Sequence, residues 1–268
     1  MMQSFIKISI LCVLAFNLFS CNLLSAAGVS SHGQPTKKAN DNLTSTTANS
    51  AVNVDHSDWD KLLKKYVNDE GFVDYKGFKN GDDKLNAYIT KLSKFEPNKD
   101  WSVQELLAYY INLYNAATIQ LIVKNYPTKS IKDIKGAWTK GFVKVGDKDL
   151  SLGAIENGVL RKMDEPRIHF AINCASYSCP KLRNEAYTAG KINEQLDDAA
   201  KGFINGDKNE ISENNPKLSK IFDFYTGDFK VNGKKDLIGY INQYSKTKIN
   251  PDAKYTFKDY NWNLNEQK

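Results

Sequence analysis

The stretch RIHFAINCASYSCP, Arg167 to Pro180, brings His169, Cys174 and Cys179 close together in the chain. The other two cysteines, Cys12 and Cys21, lie in or just after an N-terminal apolar run, and the other histidines are His32 and His56. Three chemistries are open to such a group. Two cysteines five positions apart in an exported chain ordinarily oxidise, and closing so short a loop stabilises by roughly 2 kcal/mol. A free thiol would instead be a nucleophile, with His169 as the base that draws off its proton. His169, Cys174 and Cys179 also have the donor types that zinc takes. Their spacing is not a common one, however, and a further ligand such as Glu156 would be needed. No metal or cofactor is therefore expected. The chain has no Gly-rich phosphate loop, GxSxG, HExxH or CxxC pattern, so the usual nucleotide, serine-hydrolase, zincin and thioredoxin readings fall away.

The elements that hold these residues follow from hydrophobic periodicity. Ile168, Phe170 and Ile172 alternate with His169, Ala171 and Asn173, the pattern of a strand. In such a strand Cys174 falls on the face opposite His169, so a Cys174–His169 pair needs a turn at Asn173. Cys179 lies beyond a loop and can fold back. The run WSVQELLAYYINLYNAATIQLIVKNYP has no charged side chain from Leu106 to Val123, and Ser102 and Glu105 have capping-box spacing. It is long enough to span a membrane. Asn112, Asn115 and Gln120, and its place inside a polar chain, favour a central buried helix near 103–125. Further helices are expected at SDWDKLLKKYV, around Leu85–Leu92, at LGAIENGVLRKM, KINEQLDDAAKGFI, NPKLSKIFDFY and DLIGYINQYS. GFVKVGDKDLSL reads as a hairpin turning at Gly146–Asp147, and YTFKDYNWNLN as a closing strand. The fold class is α+β, a helix-rich single domain around a small antiparallel or mixed sheet.

Asn112 and Asn115 share one face of the central helix. A buried amide without partners costs about 1–3 kcal/mol, so each must bond something. They either tie the helix to neighbouring backbone, or line a pocket where they orient a histidine or hold an oxyanion. Tyr110 and Tyr114 share that neighbourhood. Glu156 and Arg161 are not ideally spaced to pair, and Asp197 and Asp198 read as a solvated face.

The stretches YYINLYNAATIQLI, DLSLGAIENGVLR and RIHFAINCASYSCPKLRNEAY resemble the family labelled domain of unknown function 547, over roughly residues 101–229. The resemblance singles out Asn112, Tyr114, Asn115, Glu156, Arg161, His169, Cys174, Cys179 and Pro180 as signature positions. Ala175 stands where such motifs often have glycine. The family label implies no established activity.

The N-terminus bears on the compartment. Lys7 followed by an apolar run to Phe19 has the length of a secretory signal, and LFSC places Cys21 at a bacterial lipoprotein cleavage site; cleavage after Ser25–Ala27 is the rival. Residues 1–20 are thus expected as a lipoprotein signal, with Cys21 lipidated. Residues 21–55, poor in large apolar side chains, are expected as a flexible polar tether, and 56–268 as one globular domain. The formal charge of +6 is spread as interspersed Lys, Asp and Glu, a solvated surface that implies no nucleic-acid partner. The expected partners are a membrane, through the lipid, and an unnamed substrate or envelope partner. Two functions follow: a thiol-dependent Cys–His hydrolase or acyl transferase using His169, Cys174, Cys179, Asn112 and Asn115, or a disulfide-stapled envelope binding module without catalysis.

Overall fold

The computed structural model describes residues 30–39, 43 and 52–268. The export segment and Cys21 lie outside the described residues. The molecule is built around α4, Val103–Lys124, in which every side chain from Gln104 to Ile119 is buried. Ser102 caps it by accepting from the Glu105 amide at 3.1 Å, and the Glu105 carboxylate accepts from the Val54 amide at 3.0 Å. By length and composition α4 is able to cross a membrane, yet protein covers it on all sides. That is why a charge-free run persists without an amphipathic face.

Three helices, α1 (Ser57–Tyr66), α2 (Tyr75–Asn80) and α3 (Asp82–Ser93), form a bundle of which α2 and α3 pack directly on α4. The hairpin of β1 (Val143–Val145) and β2 (Lys148–Leu150) turns at Gly146, whose φ of 56° suits a residue without a Cβ. Next come a π-helix, Ala154–Val159, and two 3-10 segments, Leu160–Met163 and Pro166–Phe170. The chain continues through α5 (Ile192–Ile204), β3 (Lys217–Leu218), α6 (Ile221–Phe224), β4 (Lys230–Val231), β5 (Lys234–Lys235), α7 (Leu237–Tyr244) and β6 (Thr256–Phe257). The named strands of the described residues form separate two-stranded pairs: β1–β2 and β4–β5 antiparallel, β3–β6 parallel. The fold is helix-rich α+β.

Two cores meet at the 3-10 segment. The larger surrounds α4; the smaller is an aromatic cluster of Phe170, Phe203, Phe222, Phe229 and Tyr240. Ile168 and Ile172 belong to the first and Phe170 to the second. The alternation that reads as a strand is therefore a short helix with apolar residues pointing into two different cores. Pro166 at its first turn and the Glu165 carboxylate accepting from the Arg167 amide at 3.1 Å start it. NPKLSKIFDFY likewise divides into β3 and the short α6. The C-terminal segment is a strand only at β6. Beyond it, isolated bridges join Leu264 to Ser176 and Glu266 to Val73.

Within the expected tether, Ser30–Ala39 lies against the domain. Gln34 accepts from the Tyr110 hydroxyl at 2.6 Å, Lys37 donates to the Trp101 carbonyl at 2.9 Å, and the Ala39 amide donates to the Met163 carbonyl at 2.7 Å. Its backbone runs so close to the π-helix that a Cβ on Gly158 would overlap the Ser30 carbonyl.

Candidate functional site

His169 sits at the junction of the two cores, 2 % exposed. Its Nε2 bonds Asp228 Oδ2 at 2.8 Å, and its ring stacks on Tyr225 with centroids 3.9 Å apart. Its Nδ1 has no hydrogen-bond partner among the described residues. Arg161 grips the same Asp228 with two bonds, Nε to Oδ2 at 2.6 Å and Nη2 to Oδ1 at 2.8 Å, and lies over the Tyr225 ring. Burial alone would raise the Asp228 pKa, but the hydrogen bonds from His169 and Arg161 outweigh it and hold the carboxyl well below the usual range. Asp228 is thus an ionised anchor for the imidazole.

Glu156 is the second buried polar group, 5 % exposed. The π-helix carries it, and such local rewinding of a helix is frequent at functional sites. One carboxylate oxygen accepts from the Tyr114 hydroxyl at 2.9 Å and the other from the Tyr225 hydroxyl. Burial first, then the negative charge of Glu156, pushes the pKa of both phenols far up, so both remain donors.

Cys174 and Cys179 are joined as a disulfide, with Cα atoms 6.3 Å apart. Asn173 clamps the two ends of this loop: its Nδ2 donates to the Pro180 carbonyl at 2.6 Å and its Oδ1 accepts from the Ala175 amide at 2.8 Å. The C-terminal segment lies along the loop, through Tyr177 N to Asn263 O at 2.7 Å and Asn265 N to Ala175 O at 3.2 Å. It also brings the Tyr260 hydroxyl to 3.3 Å from Cys179 Sγ and 2.8 Å from Ser176 Oγ. Burial pushes the Tyr260 pKa up to about 12.

His169, Cys174, Cys179 and Pro180 of one short stretch line one cavity of about 200 Å³ together with Glu156, Tyr114 and Tyr225 from elsewhere in the chain. Trp138, Tyr260, Trp262 and Phe224 complete its aromatic wall. The face problem raised by a strand disappears, because the 3-10 segment turns the chain and lets His169 and Cys174 share the cavity. Cys179 and Pro180 also border a larger cavity of about 670 Å³ on the other side of the loop. Its basic residues have partners of their own, Lys181 on the Asp69 carbonyl, Arg183 on Glu185 and Lys208 on Asp207.

The two asparagines do not reach the cavity wall. Asn112 brackets the Tyr187 peptide group, donating to its carbonyl at 2.7 Å and accepting from its amide at 3.0 Å. Asn115 donates to the Ala171 carbonyl at 3.0 Å and accepts from the Asn173 amide at 2.8 Å, which fixes the turn between His169 and Cys174. Asp197, read as solvated, accepts from Arg167 at 2.7 Å. Among the described residues, no group of three or more His, Cys, Asp or Glu is arranged to hold a metal ion. The two sulfurs that a zinc site would use are bonded to each other.

Sequence reasoning missed Asp228, Tyr225, Tyr260 and the two tryptophans. The only signal for the first two is YTGDF, a Gly-centred turn with a tyrosine and a carboxylate between apolar runs. Nothing in its position ties it to a histidine 59 residues earlier.

No curated protein and no solved structure matches the chain. Residues 98–204 match the model of the family described as "Protein of unknown function, DUF547", and this stretch, which supplies Tyr114, Glu156, His169 and both cysteines of the cavity, resembles that family.

Proposed function

We propose that the chain is exported, held at a membrane of the bacterial cell envelope by a lipid on Cys21, and that its globular part is a disulfide-stapled module binding a small ligand in the cavity between Glu156, His169 and Cys174–Cys179. The observation that carries this reading is the disulfide in the cavity wall. Joined sulfurs are not nucleophiles, whereas the cavity, its aromatic wall and its two buried polar groups remain intact. A cavity that is mostly apolar with a few convergent polar groups is the general form of a small-molecule site. At about 200 Å³ it suits a ligand of single-ring size, since a cavity of roughly 150 Å³ accepts benzene.

One observation favours a second reading. His169 is anchored at Nε2 by a carboxylate and unpartnered at Nδ1 among the described residues, and it shares the cavity with both cysteines. That is the logic of a base in a Cys–His–Asp site. On this reading a dithiol reductant of the envelope takes up the disulfide bond and releases two thiols. One thiolate then attacks an acyl carbon, and His169 passes the thiol proton to the leaving group, as in a hydrolase or acyl transferase.

Protein harvested from the envelope in the presence of an alkylating agent separates the two. The binding reading expects Cys174 and Cys179 unlabelled before reduction and both labelled after it, by peptide mass. It also expects partition into detergent that Cys21→Ser abolishes. A cysteine labelled rapidly at neutral pH without reductant, and slowly in His169→Ala, would replace it with the thiol enzyme.

A further inference from the structure

The hydrogen-bonding groups around the cavity are unevenly committed. The Tyr114 and Tyr225 hydroxyls both donate to Glu156, and the Trp138 indole bonds Tyr114. Arg161 is held by Asp228 and Asn157, and the Tyr260 hydroxyl by Ser176 and Cys179. The donors nearest Glu156 and Asp228 are therefore engaged. Acceptors are left over: each Glu156 oxygen keeps a further lone pair, and Nδ1 of His169 is an acceptor whenever Nε2 carries the proton to Asp228.

Charge is uneven in the same sense. Asp228 is neutralised by Arg161. Glu156 forms no ion pair with any described residue, although it is buried. The wall around it is aromatic: Trp138 meets Trp262 edge to face at 6.0 Å, Tyr260 lies 4.6 Å from Trp262, and Phe224 lies 5.6 Å from Tyr260. Glu156 and His169 are buried, while the tryptophans and Tyr260 are half-buried and Phe224 is exposed. A carboxylate beyond a ring of aromatic side chains attracts a cation twice, through its charge and through the negative faces of the rings. An anion would instead meet the like charge of Glu156, with no described cation paired to that carboxylate.

We infer that the cavity is an ammonium site, taking a small organic amine whose cationic head reaches Glu156 and whose body lies among Trp138, Tyr260 and Trp262. The inference rests on the binding reading above and names its ligand class.

Benzylammonium and benzyl alcohol, nearly alike in shape and different in charge, test it on the oxidised full-length protein through tryptophan fluorescence. The expected result is saturable binding of benzylammonium at least tenfold tighter than that of benzyl alcohol. Glu156→Gln should remove that preference, bringing the two compounds to within about twofold of each other in affinity. Trp262→Leu, at a half-buried position that the fold tolerates more readily, should weaken benzylammonium severalfold. Equal affinity for the two compounds, or a preference that survives both substitutions, overturns the ammonium assignment. Saturable binding of a neutral hexose alone would also overturn it while leaving a ligand cavity standing. If amine, alcohol and hexose all leave the tryptophans unperturbed, the binding reading fails with it.

Discussion

His56 and His169 are buried to the same degree, 3 % and 2 % exposed, and each has one ring nitrogen bonded and the other without a partner among the described residues. Their partners differ. His56 Nδ1 meets the Tyr88 hydroxyl at 2.6 Å, beside the Trp59–Tyr88 stack that joins α1 to α3. His169 Nε2 meets the Asp228 carboxylate, itself gripped by Arg161, on the wall of a cavity. A hydroxyl satisfies a neutral imidazole and does little for an imidazolium. A carboxylate orients the ring and supports positive charge on it. Burial alone does not make a histidine chemical; the partner and an adjacent empty volume do. By that measure His56 is a packing residue, and His169 is the candidate for a site.

The largest test of this contrast is acid stability. Burial pushes the His56 pKa down to about 4. Above the unfolded value of about 6.5 the ring is neutral in both states and costs nothing. As pH falls below about 6.5 the unfolded chain takes up the proton first, so stability drops until the folded ring titrates near 4. The loss over that window amounts to roughly 3 kcal/mol. Urea unfolding of wild type and His56→Gln across this range should show the variant losing less stability by about that amount. Parallel pH curves would mean that His56 is protonated in the folded state and that the two histidines do not differ as described.

A smaller effect comes from the other histidine's partner. Asp228→Asn keeps the shape, removes the charge that Arg161 and His169 share, and should cost about 1–2 kcal/mol at neutral pH, modest because the pair is partly exposed. The sign with pH follows from the depressed carboxyl of wild type: its contribution is present above the unfolded value of about 3.9 and is lost as pH falls through the lower folded value. The gap between wild type and variant should therefore close only below about pH 4, leaving the His56 window untouched. A gap that closes between pH 6.5 and 4 instead would place the relevant proton on a histidine.

The difference between the two regions also governs what was legible beforehand. The α4 core announces itself through a charge-free run with a capping residue, and the hairpin through Gly146–Asp147, because local chemistry decides both. α5 and α7 are readable from periodicity for the same reason. The His169 segment misleads: its alternation serves two cores rather than two faces of a sheet, and Pro166 starts a helix there. Three motif residues of the cavity, His169 and the two cysteines, stand out by type, but what completes them is remote. Asp228 arrives with the aromatic cluster, and Tyr260 and Trp262 with the C-terminal segment, each brought by tertiary packing that leaves no trace in spacing. The strap at Ser30–Ala39 was hidden because backbone and polar contacts hold it, not an apolar stripe.

The smallest effect concerns the loop beside His169, where Ala175 adopts φ 61° while fully buried. No described residue other than glycine has a positive φ within α1, α2 or α3, around His56. A left-handed conformation costs an L residue about 1–2 kcal/mol, which glycine avoids. Ala175→Gly also removes a buried methyl, about 0.8 kcal/mol, and enlarges the entropy of the unfolded chain by about 0.4–1 kcal/mol. Relief and loss nearly cancel, so the variant should unfold within about 0.5 kcal/mol of wild type. The near-zero value is informative because its components are not small. Were the loop free of strain, only the losses would remain, and the same substitution would cost about 1.5 kcal/mol. A denaturant midpoint lowered by that much would remove the strain from the disulfide loop and with it one contrast between the cavity and the core.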